Sequence, residues 1–108
     1  MTRRSDLYVQ DIRGAIARIR DYTQGLDEDQ FRASPLVQDA VVQNLEIIGE
    51  AAGRISEEVR AGHPAVPWRK LWAFRNIVAH HCWTVDLDVV WDVIVNKLDE
   101  ITAALGEA

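Results

Sequence analysis

The residues best suited to chemistry lie together at positions 75 to 83, where the sequence reads Arg-Asn-Ile-Val-Ala-His-His-Cys-Trp. This segment places Arg75, Asn76 and His80 in a stretch whose apolar spacing is otherwise helical. An arginine guanidinium stays charged and can hold a phosphate through two hydrogen bonds. A histidine can accept and donate a proton near neutral pH. Together these residue types are the minimum set of groups for cleavage of a phosphodiester without a metal.

The charge around this segment also fits a phosphate-containing substrate. The chain has a net charge of −5, yet no Asp or Glu occurs between Glu58 and Asp86. The cations of this stretch are Arg60, Arg69, Lys70 and Arg75. A positive field confined to one part of an acidic protein indicates a site and not a general affinity for polyanions. We expect RNA contacts from two of these cations and from two rings able to stack an unpaired base, namely Arg69, Lys70, Trp72 and Trp83.

Each of these side chains also has a structural interpretation. Arg75 could form a surface ion pair, His80 could be a satisfied structural histidine, and His81 points away from the other polar residues of its helix. A zinc site is not favoured, because adjacent positions on a helix diverge and no second cluster supplies the missing ligands. The ligands of such a site would have to be His63, His80, His81 and Cys82. We therefore predict no metal and no cofactor.

Length and composition indicate one domain, residues 1–108, of an ordinary globular protein with 48% hydrophobic and 27% charged residues. The single cysteine, Cys82, excludes an intrachain disulfide and is compatible with a reducing cytoplasm. The first residues lack the apolar region of a signal peptide. No apolar run approaches the roughly 20 residues that span a bilayer. We expect a cytoplasmic protein with no membrane association.

The apolar spacing predicts an all-α fold, an antiparallel bundle of four principal helices plus a short helical turn. The first helix should run from an N-cap at Ser5 to about residue 23, where Gly25 stops it. A short turn over 27–32 carries Phe31. Ser34 and Pro35 should start a long helix that reaches about residue 61. Pro67 should open the signature helix, which fades near residue 83, and Asp86 should cap the last helix.

Two further features concern how the helices meet. Gly49 and Gly53 lie one turn apart and would let another helix approach closely. Glu46 and Glu50 share the polar side of the same helix, and one of them could face the signature helix as a supporting acid. On the signature helix, Trp72, Ala79 and Trp83 fall on one face with the polar residues. A two-fold dimer would bury such a face and leave a polar cleft through it.

The string Arg75-Asn76-x-x-x-His80 at the end of a helix resembles the signature of HEPN domains. More of the chain is similar to the HepT branch, the toxin half of HEPN/MNT toxin–antitoxin pairs. The matching stretches are Ile48-Gly49-Glu50-Ala51-Ala52 with Ile55-Ser56, His63-Pro64 with Val66-Pro67-Trp68, Arg75 to His80, and Val85-Asp86-Leu87.

The resemblance implies a HEPN-like homodimer that is a metal-independent endoribonuclease. It implies that Arg75 and His80 are the catalytic pair in its cleft and that Asn76 is the polar residue beside them. It implies a minimal nucleotidyltransferase antitoxin as partner, which transfers AMP from ATP to a tyrosine two positions after the histidine. That position is Cys82 here. Two other interpretations stay open: a non-catalytic HEPN module that binds a nucleotidyltransferase or a nucleotide, and a purely structural bundle.

Overall fold

The computed structural model describes residues 4–79 and 86–106, with side chains described for 4–75 and 86–106. These residues form helices and connecting turns and contain no strand, so the all-α prediction is confirmed for them. No helix among them is both long and apolar enough to cross a membrane. In chain order the elements are α1 (Ser5–Thr23), α2 (Glu28–Arg32), α3 (Pro35–Arg54), α4 (Glu57–Gly62), α5 (Trp68–Ala79), α6 (Leu87–Asp92), a π-helical turn (Val93–Lys97) and α7 (Leu98–Leu105).

The first helix has the predicted length but a different N-cap. Arg4, and not Ser5, is the residue before the first helical turn, and no side chain caps this end. The hydroxyl of Ser5 instead accepts a hydrogen bond of 2.9 Å from the backbone N–H of Ser56. The predicted cap was wrong because a contact distant in sequence uses that hydroxyl. Helix α1 ends at Thr23, because Gln24 has a non-helical ψ of 125°. Gly25, with a φ of 78°, completes the turn that follows.

The short helix α2 is fixed at both ends. Asp27 and Gln30 form a reciprocal capping box, and the ring of Phe31 is fully buried as its apolar anchor. Arg32 donates hydrogen bonds to Glu28 within the helix and to Asp88 of α6. Both carboxylates raise the pKa of the Arg32 guanidinium, and the hydrogen bond to Asp88 has the larger effect. These contacts join α2 to the last helical segment.

The long helix α3 starts as predicted but ends earlier. The Ser34 hydroxyl accepts a hydrogen bond from the backbone N–H of Val37, and Pro35 occupies the first turn. The helix stops at Arg54 and not near residue 61. Ser56 has an extended backbone and caps a separate helix, α4. The apolar stripe continues across this break, because Ile55 is buried and Val59 packs on the core.

The last helical segment begins at the predicted cap and contains a π-helical turn. The carboxylate of Asp86 accepts hydrogen bonds from the N–H groups of Asp88 and Val89. Helix α6, the π turn and α7 then follow one another without a non-helical residue. One extra residue per turn in the π segment shifts the helical register. Across this segment Val90, Val93, Leu98, Ile101 and Leu105 are buried, while Trp91 and Ile94 are partly buried.

Helix α3 lies at the centre of the fold, with α1 on one side and α5 on the other. Its buried apolar side chains include Val41, Leu45 and Ile48, which share one core with Ile12 of α1 and Leu71 of α5. Every one of these five side chains is fully buried. The core therefore fixes α5, the helix of the polar signature, against α3.

The approach of α5 to α3 depends on the two predicted glycines. A Cβ atom on Gly49 would lie 2.6 Å from Cγ of Arg75 and 2.9 Å from its backbone nitrogen. A Cβ atom on Gly53 would lie 2.5 Å from Cδ1 and 2.6 Å from Nε1 of Trp72. The missing side chains at these positions leave the space in which Arg75 and Trp72 lie.

Candidate active site

The signature helix presents Arg75 at the border between its buried and exposed sides. Leu71 is fully buried and Phe74 is 8% exposed, as the helical spacing predicts for the core face. The Arg75 side chain is 42% exposed, and Trp72, one turn earlier, is 47% exposed. The backbone of Arg75 is thus held by the core while its guanidinium reaches solvent.

Two contacts set the direction of the Arg75 guanidinium. Its Nε lies 3.4 Å from Oε1 of Glu50, an ion pair that links α5 to α3. Its Cζ lies 5.7 Å from the centre of the Trp72 ring, within the range of a cation–π contact. The arginine is therefore held between a carboxylate and an indole, with Gly49 beneath its stem.

Glu50 lies between two arginines. Its Oε2 is 3.6 Å from Nε of Arg54, which is one turn further along α3, and its Oε1 faces Arg75. The Glu50 side chain is 43% exposed. Ion pairs this exposed to water contribute about 0–1 kcal/mol to stability. Their effect here is to orient Arg75 and not to hold the fold together.

An acidic groove of about 420 Å³ lies between α1 and α3 on the far side of Glu50. Its polar lining includes Tyr8, Asp11, Glu46, Glu50 and Arg54. The sequence leaves Glu46 and Glu50 as alternatives for the acid that faces the signature helix. Among the described residues, Glu50 forms an ion pair with α5 and Glu46 does not.

The structure separates the residues predicted to bind RNA. Arg69 and Trp72 line one pocket of about 220 Å³, together with Arg60 and Trp68. Lys70 lines a different, largely apolar groove between α5 and the last helical segment. Sequence reasoning missed Trp68 and assigned Arg60 only to the positive field. The i, i+4 spacing of Trp68 and Trp72 is the signal that could have placed both rings on one side of α5.

Several predicted site residues fall outside what the structure describes. His80, His81, Cys82 and Trp83 lie outside the described residues, and for Asn76 only the helical backbone is described. His63 is the C-cap of α4, and its carbonyl accepts a hydrogen bond of 3.2 Å from Nε1 of Trp68. Within residues 4–75 and 86–106, no group of three His, Cys, Asp or Glu side chains could hold a metal ion.

The fold and this site define an all-α protein with an oriented, half-exposed arginine near the end of a core helix. Comparison with known proteins agrees with this class. The family described as Ribonuclease HepT-like matches residues 12–108, and the chain belongs to that family.

Several named proteins are similar to most of this chain. A Thermococcus cleftensis protein named "Probable ribonuclease HepT" is 34% identical over 94 residues, which are 87% of this chain and 86% of that protein. "Putative RNase MJ0127" of Methanocaldococcus jannaschii is 31% identical over 91 residues, 84% of this chain and 75% of that protein. In the same organism, "Gamma-glutamylcyclotransferase and putative RNase MJ0434" is 33% identical over 95 residues, 88% of this chain but 43% of that protein. The comparison with solved structures gives no match.

Proposed function

We propose that this chain is a metal-independent endoribonuclease, the toxin of a HEPN/MNT toxin–antitoxin pair, which cleaves RNA in the cytoplasm at a cleft shared across a homodimer. The observation that carries the proposal is the oriented guanidinium of Arg75, held by Glu50 and Trp72 on the helix that continues toward His80. Membership of the Ribonuclease HepT-like family supports the same activity.

The proposed nucleophile belongs to the substrate. His80 removes the proton of an RNA 2′-hydroxyl, whose oxygen attacks the adjacent phosphorus. The P–O5′ bond breaks, and the His80 of the second subunit gives a proton to the leaving 5′-oxygen. The products are a 2′,3′-cyclic phosphate and a free 5′-hydroxyl.

Arg75 supplies the electrostatic part of this mechanism. Negative charge gathers on the non-bridging oxygens as the phosphorane forms, and a positive group already aimed at them stabilises that charge. Glu50 and Trp72 contact Arg75 from two sides, and these contacts favour one direction of its guanidinium before the substrate binds. Asn76 orients His80 or holds a phosphate oxygen.

Two substitutions test the proposal. Arg75→Ala and His80→Ala should each abolish RNA cleavage and growth inhibition, while helicity and dimerisation stay near wild type. General acid–base catalysis is worth about 10²–10⁴-fold in rate, so the loss is visible in a gel assay. Full activity in either variant would refute the catalytic pair. A wild-type chain that binds a nucleotidyltransferase but cleaves no RNA would favour the non-catalytic HEPN module.

The proposed partner is a minimal nucleotidyltransferase antitoxin, and Cys82 bears on how it acts. The resemblance places an AMP-accepting tyrosine at position 82, where this chain has a cysteine. We expect intact-mass spectrometry after co-expression to show no AMP adduct on the wild-type chain and an adduct on Cys82→Tyr. An adduct on the wild-type chain would refute this expectation and reveal another acceptor.

A further inference from the structure

A second polar site opens next to Arg75, at the junction of α3, α4 and α5. It is a pocket of about 220 Å³ whose lining consists of Ala52, Gly53, Arg60, Trp68, Arg69 and Trp72. The lining combines two cations with two indole rings and includes no carboxylate. That composition suits a ligand that has both a phosphate and an aromatic base.

The two cations are placed on different helices. Arg60 of α4 is half-buried, and its Nε and Nη2 donate hydrogen bonds of 3.0 and 2.7 Å to the carbonyl of Ile55. These two hydrogen bonds hold the Arg60 guanidinium beside Ile55, the residue that follows α3. Arg69 is exposed on the first turn of α5. The phosphate of a ligand in the pocket would therefore contact two cations from two sides. One is Arg60, which its hydrogen bonds hold in place, and the other is the exposed Arg69.

The two rings are positioned by different contacts. Nε1 of Trp68 donates a hydrogen bond of 3.2 Å to the carbonyl of His63. The Cδ1–Nε1 edge of Trp72 lies over Gly53, where even a methyl group would come within 2.6 Å of the ring. Trp72 is nevertheless 47% exposed, so much of its surface is open to a ligand. The same ring is the one 5.7 Å from Cζ of Arg75.

The cavities on the two sides of Arg75 differ in charge. The groove on the other side of Glu50 is lined by three carboxylates, those of Asp11, Glu46 and Glu50, and by one cation, Arg54, so its net negative charge would repel a phosphate chain. The pocket beyond Trp72 holds Arg60 and Arg69. An RNA strand whose phosphate contacts Arg75 would thus be attracted toward the pocket and repelled from the acidic groove.

We propose that this pocket binds one unpaired nucleotide of the RNA, next to the phosphate that is cleaved. Its base stacks on Trp72, and its flanking phosphate binds Arg69 and Arg60. This inference rests on the proposed ribonuclease function and assigns a substrate subsite to it. Cleavage should therefore be confined to single-stranded segments, because a paired base cannot leave its helix to enter the pocket without loss of pairing.

Binding without cleavage tests the subsite independently of catalysis. The probe is a fluorescein-labelled single-stranded oligonucleotide with 2′-O-methyl groups, which lacks the 2′-hydroxyl nucleophile. Trp72→Leu should weaken binding roughly five- to hundred-fold, whereas Trp72→Phe, which retains a stacking ring, should stay within a few-fold of wild type. Gly53→Ala should also weaken binding, because the new methyl group displaces the Trp72 ring. This variant removes no polar group from the pocket.

The cations have a separate readout. Arg69→Gln should reduce the slope of log affinity against log salt concentration by about one, as expected for one lost phosphate contact. Tyr22→Leu and Arg20→Gln are matched controls on α1, an exposed ring and an ion-paired arginine. Arg20 lies near the C-terminal end of α1, where it contacts Asp99 and Thr102. Ser5, which contacts Ser56 just before α4, lies at the other end of α1. Both controls should bind the probe like wild type.

The outcomes separate this inference from the proposed function. If wild type cleaves RNA while Trp72→Leu and Arg69→Gln bind and cleave like wild type, the subsite is refuted and the ribonuclease stands. If those variants lose binding while wild type cleaves no RNA, the subsite stands and the ribonuclease fails. Failure of wild type to bind the probe would refute the subsite. Tighter binding of free AMP than of the probe would assign the pocket to a mononucleotide and refute it as well.

Discussion

Arg75 reaches its position through contacts with residues on two helices. The glycine beneath its stem, the carboxylate beside its Nε and the ring near its Cζ come from Gly49, Glu50 and Trp72. A negative charge next to a phosphate-binding arginine has two opposite effects. It repels the substrate, and it fixes the direction of the guanidinium. Which effect is larger decides what happens when the charge is removed.

We predict that Glu50→Gln lowers kcat by roughly ten- to hundred-fold, because loss of orientation by about an ångström is costly in catalysis. KM should change less, since the charge of Arg75 remains. Glu46→Gln is the comparator: it removes the same charge from the same groove, one turn away, and should have the smaller effect. Steady-state kinetics on a fluorogenic RNA measures both constants. A Glu50→Gln enzyme with higher kcat or lower KM would show that repulsion dominates.

Helical spacing predicts only part of the site around Arg75. Helical spacing predicts that Leu71 and Phe74 are buried, and both are. It leaves Glu46 and Glu50 as equal candidates to face α5, because both lie on the polar side of α3. The register between the two helices places Glu50 beside Arg75, and that register depends on core packing between distant residues.

At the scale of elements, the meeting of α3 and α5 is the contact on which the site depends. Both glycines at this contact have neighbours from α5 within 3 Å of where a Cβ would lie. At Gly53 the neighbour is a side chain, which can shift. At Gly49 it includes the backbone nitrogen of Arg75, 2.9 Å away, which cannot shift without moving the helix.

Gly49→Ala should destabilise the fold by about 1–3 kcal/mol, the usual cost of an overpacked contact. Gly14→Ala in α1 is the matched control, because its Cβ would meet only the flexible end of Arg18 at 3.4 Å. That control should gain about 0.5–1 kcal/mol from helix propensity. Urea unfolding followed by circular dichroism measures both changes. A neutral or stabilised Gly49→Ala would refute close packing at this point.

The elements also show where sequence patterns mislead. The apolar steps of α3 continue through Ile55 and Val59, so they predict one helix where two occur. Ser56, followed by Glu57 and Glu58, is a recognisable helix start that the continuous stripe conceals. The bond from its N–H to the Ser5 hydroxyl supports the break, and residue spacing cannot predict a contact between positions so far apart. The π turn is missed for a similar reason, since the helical stripe assumes a constant period.

At the scale of the whole molecule, the proposed cleft needs two subunits. The proposed mechanism uses the His80 of one subunit as the base and the His80 of the second subunit as the acid. We therefore predict that the chain is a dimer at micromolar concentration. Sedimentation equilibrium measures this association, and a monomeric wild type would contradict a shared cleft.

In the proposed mechanism the chain cleaves RNA through the 2′-hydroxyl of its substrate. The most direct measurement is the analysis of cleavage products formed in EDTA from an RNA and from the same strand with a single deoxynucleotide at the cleavage site. We predict that cleavage persists in EDTA, leaves a 2′,3′-cyclic phosphate and a 5′-hydroxyl, and stops at the deoxy position. Activity that is lost on chelation and restored by a divalent metal, or cleavage at the deoxy position at a comparable rate, would contradict it.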